Sequence, residues 1–142
     1  MSSLRTFPAL LIALSVTLAI PFGSPALAVG EGAAQAPVTI TDPLVAQFAA
    51  CTGRLSAQME FQWLMSAASS DQTQAQRAAM IDLLEAVTPD DQRRAALHRR
   101  LEAKVAHYRL LTRAELSGTG KDAAWAAHQA QRNIRSCLKL MG

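Results

Sequence analysis

The sequence predicts an all-α protein, a small up-down-up-down four-helix bundle with one disulfide joining the first and last helices. Three observations carry that expectation. Beyond residue 41 no segment alternates apolar and polar residues as a half-buried strand would. Alanine is abundant and glycine nearly absent between Arg54 and Ser117, a composition that favours helix. The breaks between helical stretches are short, which makes consecutive helices antiparallel neighbours.

The first 28 residues are set apart from this domain. Arg5 is followed by the uncharged apolar run Ala9 to Ile20, a Pro/Gly break, and the small residues Ala26, Leu27 and Ala28. That order is a Sec-type secretory signal peptide cleaved after Ala28. The run is shorter than the roughly 20 residues a spanning helix needs, so no transmembrane segment is expected after cleavage. With no Arg pair and no Cys near the cleavage site, the mature chain is expected free in the periplasm or secreted. Residues 29–41, small and unpatterned, read as a flexible leader, and residues 42–142 as the helical bundle domain. The mature chain carries 13 Lys and Arg against 11 Asp and Glu, too even a balance for a nucleic-acid partner.

Helix 1 begins at Asp42-Pro43, where Asp caps the open N–H groups and Pro suits the first turn. At about 100° per residue, Leu44, Val45, Phe48, Cys51, Thr52, Leu55, Met59 and Trp63 share one face. The helix fades at Ser66 to Ser70. Helix 2, Thr73 to Val87, turns Ala79, Met80, Leu83, Leu84 and Val87 inward. It stops before Pro89, because proline disfavours helical geometry in the residue preceding it. Thr88 is expected to cap helix 3, with Pro89 in the first turn and Asp90 and Asp91 meeting the macrodipole. Helix 3 continues to Leu116 on a stripe of Leu97, Leu101, Val105, Tyr108, Leu111 and Thr112. Ser117 to Gly120 form a turn. Helix 4 reaches Leu140 with Ala123, Ala127, Ala130, Ile134, Cys137, Leu138 and Met141 inside.

Cys51 lies early in helix 1 and Cys137 late in helix 4, so antiparallel packing brings them to one end. Two cysteines in an exported domain form a disulfide more often than two thiols. No C-x-x-C spacing supports a redox-active pair.

Motifs for chemistry are missing. There is no C-x-x-C-H for haem, no E-x-x-H pair for a di-iron site, no G-x-S-x-G and no Gly-rich phosphate loop. His98 and Glu102 read as a solvated pair, and His107 and His128 as surface or satisfied histidines. No catalytic residue, metal or cofactor is expected, and the protein reads as a non-enzyme. The cations of helix 3 spread around it, with Asp90 facing Arg93 or Arg94 and Arg99 facing Glu102.

The junction Val87-Thr88-Pro89-Asp90-Asp91-Gln92-Arg93-Arg94 resembles the L-T-x-x-Q segments of Spy-like periplasmic chaperones. Here it has one residue too many before Gln92 and occurs once where that family has two. The resemblance implies an exported helical protein that binds unfolded clients.

Some apolar residues fall off the core faces. Phe61, Leu64 and Met65 leave the helix 1 stripe, and Trp125 sits opposite Ile134 on helix 4. Antiparallel packing gathers them at the end away from the disulfide, near Leu110 and Leu116. Phe61, Leu64, Met65 and Trp125 are therefore the candidate binding patch, unless helix 2 or the leader covers it. The function expected is non-enzymatic binding of an envelope protein partner, or self-association. The alternatives are a bundle holding a hydrophobic small molecule or metal, and Spy-like chaperone activity.

Overall fold

The computed structural model describes residues 39–65 and 68–142. The expected signal peptide and most of the expected leader lie outside the described residues. Four α-helices follow one another: α1 Pro43–Leu64, α2 Ser70–Val87, α3 Arg93–Leu116 and α4 Lys121–Leu138. A 3-10 turn, Asp90–Gln92, leads into α3.

Contacts between helices give their directions. Gly53 meets Arg100, Glu60 pairs with Lys104 and Phe61 meets Tyr108, so α1 and α3 are parallel. Ser56 bonds Arg77 and Gln62 bonds Ser69, so α2 runs back along α1. Arg113 reaches Asp122 across the last turn, so α4 runs back along α3. This is an up-down-up-down bundle. The Cys51–Cys137 disulfide, with Sγ atoms 2.03 Å apart, joins its first and last helices.

Within the bundle the most extensive packing is between α1 and α3. Helix α2 lies on α1, and α4 lies mainly on α3, touching α1 over a small area. Helix α1 is therefore central and is buried on more than one stripe. Ala49, Ala50, Gly53, Ser56 and Ala57 are covered along with Val45, Phe48, Cys51, Thr52, Leu55 and Met59. Leu44 and Trp63, expected on the inner face, are exposed.

Gly53 explains the intimacy of the α1–α3 pair. A Cβ there would lie 2.1 Å from the carbonyl oxygen of Arg100 and 2.9 Å from the amide nitrogen of Lys104. The two backbones touch, and only small side chains fit beside the contact. Helix α3 accordingly presents Ala95, Ala96, Ala103, His107 and Leu111 to the interior. The expected α3 stripe is corrected by this. Leu97, Leu101, Val105 and Tyr108 face outward, and of the expected stripe only Leu111 is fully covered. Large residues were a poor guide because the closest helix contact excludes them.

Capping explains the helix boundaries. The Asp42 carboxylate accepts from the Leu44 N–H at 2.7 Å, and Pro43 occupies the first turn. Thr88 does not cap α3; its hydroxyl donates back to the Leu84 carbonyl at 2.5 Å and closes α2. Pro89 is extended and precedes the 3-10 turn. Gly118 takes φ 71°, the left-handed conformation that commonly ends a helix. On α2, Met80 and Leu84 are buried, Leu83 and Val87 are half-buried, and Ala79 faces solvent. On α4, Ala123, Ala126, Ala130 and Cys137 are buried.

Residues just before α1 are held as well. The Thr41 N–H donates to Gln92 Oε1 at 3.2 Å, and Gln92 Nε2 donates to Thr41 Oγ1 at 2.8 Å. Ile40 packs on the core cluster of Val45, Phe48, Leu55 and Met80. These contacts lie at the disulfide end, opposite the candidate patch. Among the described residues no helix is long and apolar enough to cross a membrane.

Candidate functional site: an exposed apolar face on α3

Because small residues of α3 take the interior, its large ones are left outside. Leu97, Leu101, Val105, Tyr108 and Leu116 are all exposed, Leu101 by 52% and Leu116 by 78%. At 100° per residue they fall within about a third of the helix circumference. At 1.5 Å per residue the row is about 28 Å long. A single exposed Leu is ordinary, but several large apolar residues along one helix face, broken by Thr112 and Glu115 before Leu116, stand out from that background.

Two concavities open along this row. Near its start, a groove of about 350 Å³ lies between α2 and α3, walled by Leu84, Ala96 and Leu97 with Glu85 and Arg100 at its rim. Near its end, a shallow basin of about 630 Å³ lies between α3 and α4, walled by Tyr108, Leu110, Leu116 and Trp125. The indole of Trp125 is half exposed over the basin. Large aromatic residues of this kind are favoured binding anchors.

The four patch residues expected from the sequence are divided by the structure. Trp125 lies on the basin with Tyr108, and Leu110 and Leu116 do gather there. Phe61 is half-buried and meets Tyr108 edge-on, with ring centroids 6.1 Å apart. Phe61 itself lines a separate concavity of about 440 Å³ with Leu111, Ala130 and Ile134. Leu64 and Met65 are exposed at the tip of α1, as is Trp63, but none of the three lines the basin. The outward row of α3 was missed. Its signal was present, since helix 3 carries both an alanine face and a leucine face, and one of them had to remain outside.

Charges border the row. Arg93 pairs with Asp90 at 2.8 Å, Lys104 with Glu60 at 2.7 Å, and Arg113 with Asp122 at 3.4 Å. Glu102 lies 3.8 Å from Arg99 and 3.6 Å from His98. Exposed pairs such as these add little to stability, and they fix solvated side chains beside the apolar strip.

His107 is 1% exposed, its Nε2 3.3 Å from Gln58 Oε1 and its Nδ1 without a hydrogen-bond partner. Burial, and then the nearby Arg54 cation, push its pKa down to about 4. It is a neutral core histidine with one unsatisfied nitrogen. The exposed His128 has Nδ1 2.6 Å from Arg132 Nη1. Both cysteines are bonded to each other. Among the described residues no group of three His, Cys, Asp or Glu side chains is placed to hold a metal. Neither concavity along the row is lined by histidine or methionine.

Comparison with protein-family models, with curated proteins and with solved structures finds no match to this chain.

Proposed function

We propose that this protein acts by non-enzymatic binding of a protein partner in the cell envelope, using the outward face of α3 and the Trp125 basin. The observation that carries the reading is the row Leu97, Leu101, Val105, Tyr108 and Leu116, left outside by the Gly53 contact on the other side of the same helix. Folding asks little of Leu97, Leu101, Val105 and Leu116, each more than half exposed, whereas Tyr108 also packs edge-on against Phe61 of α1. The disulfide fits export to an oxidising compartment, where such bonds form and persist.

Client binding of the Spy type is the second reading. Its support is the width and shallowness of the face, which suits many extended apolar segments better than one rigid ligand. The residues of the resemblance itself have local duties. Thr88 closes α2 and Gln92 clasps Thr41.

A photo-crosslinking side chain placed at Leu101 or Val105, and at the exposed Asp82 of α2 as control, tests the proposal in exporting cells. Discrete adducts from Leu101 and Val105 and none from Asp82 are expected. A broad smear that is reproduced when purified protein prevents aggregation of an unfolded reporter supports the second reading. If Leu101 and Val105 label no protein while the variants stay folded and exported, both readings fail.

A further inference from the structure

Among the described residues Arg54, one turn from Cys51, is one of several cations with no ion-pair partner. Arg93, Arg99, Lys104 and Arg113 each have a carboxylate within 4.0 Å. Arg54 has none among the described residues; its guanidinium Nη1 lies 3.7 Å from the Cys137 sulfur. The side chain is half-buried on α1. Burial and then the neighbouring Arg99 both hold its pKa below the usual arginine value.

Arg54 and Arg99 face a cavity of about 270 Å³ where α1, α3 and α4 meet. No acidic side chain lines it. Gln47 supplies a further amide at its edge, while Ala46, Ala50 and Leu140 form an apolar wall. The Ser136 hydroxyl donates to the Asn133 carbonyl and so is not a free donor. The end of α4 offsets only about half a charge, against Arg54 and an Arg99 whose Glu102 partner lies outside the cavity lining at 3.8 Å.

We propose that this cavity binds a small organic oxyanion, a carboxylate or phosphate monoester, between Arg54 and Arg99, with its apolar body against Ala50 and Leu140. Guanidinium groups bind both anions through paired charge-assisted hydrogen bonds. An anion between them also removes the repulsion between two cations that the fold brings together. The volume, about 270 Å³, is just below the usual range for small-molecule pockets, which restricts the ligand to a small one such as a short-chain acid. The site lies at the opposite end of the bundle from the Trp125 basin, so it stands whether or not α3 binds a protein.

The test is an NMR titration of arginine Nε–H signals in the disulfide-intact protein, with acetate, hexanoate, inorganic phosphate and chloride at fixed ionic strength. Arg54 and Arg99 should move together along one saturating curve with hexanoate or phosphate, and not with chloride. Saturation by phosphate alone identifies a phosphate ligand, and by hexanoate alone a carboxylate. Hexanoate should bind more tightly than acetate, because only hexanoate reaches the apolar wall. Arg99→Gln, at an exposed position that leaves the fold intact, should weaken binding by about tenfold, the loss of one charge-assisted bond. Arg54→Lys keeps the charge without the fork and should weaken it also. Shifts that rise linearly without saturation, or an affinity unchanged in Arg99→Gln, overturn the proposal.

Discussion

Replacing Gly53 with alanine places one methyl group where the backbones of α1 and α3 meet. The new Cβ would be 2.1 Å from Arg100 O, 2.9 Å from Lys104 N and 3.1 Å from Arg100 C. All three are backbone atoms, so no side chain can swing aside. Relief requires α3 to move outward by roughly 1 Å or more, to reach ordinary carbon–oxygen contact. That movement loosens the contact along the length of the pair, including the packing of Ala96, Ala103 and His107. Overpacking of this kind costs about 1–3 kcal/mol, occasionally more, and the rigid neighbours place Gly53→Ala at the upper end. Alanine's better helix propensity returns about 1 kcal/mol. The net expectation is a loss of about 2 kcal/mol, or a fall in Tm of about 10 °C for a domain of this size. Urea unfolding of the oxidised protein, followed by circular dichroism, measures it. Gly53→Ala as stable as the parent, or more so, would refute the close α1–α3 contact and with it the reason α3 turns its leucines outward.

Reducing the Cys51–Cys137 bond opens a loop with a sequence separation of 86. The chain-entropy model gives a loss of about 4.6 kcal/mol, so the urea midpoint should fall sharply in dithiothreitol; an unchanged midpoint would contradict that model here. His107 makes stability depend on pH. Its folded pKa of about 4 lies below the ordinary 6.5, so the unfolded chain binds more protons between those values. Stability is therefore full above pH 6.5, declines as pH falls, and levels off below about 4, a total of about 3 kcal/mol. His107→Gln should flatten that part of the profile, and an equal slope in both proteins would assign the pH dependence to other groups.

Helix number, most boundaries and the cysteine pairing were legible because each rests on local or topological rules. Asp42-Pro43 is a helix start whatever lies around it, and Pro89 ends α2 through its own ring geometry. Antiparallel succession alone brings Cys51 and Cys137 to one end. The role of Thr88 was not legible, since a threonine between two helices can serve either, and the 3-10 turn at Asp90–Gln92 gives its hydroxyl to α2. Of the patch residues, Trp125 and Leu64 were placed outside from helical phase alone, whereas Phe61 is half-buried because Tyr108 of another helix meets it.

The sequence by itself determined an all-α chain, most of its helix limits and the ends that the disulfide joins. Helix α2 starts at Ser70 rather than Thr73, and α3 at Arg93 rather than Pro89. Only the tertiary structure decided which face of α3 is inside. Periodicity reports that a helix has an apolar face, and α3 has two, one of alanine and one of leucine. The choice between them was made by Gly53 on another helix, whose missing side chain lets two backbones touch and leaves no room for leucine. The same contact leaves the leucine row on the surface.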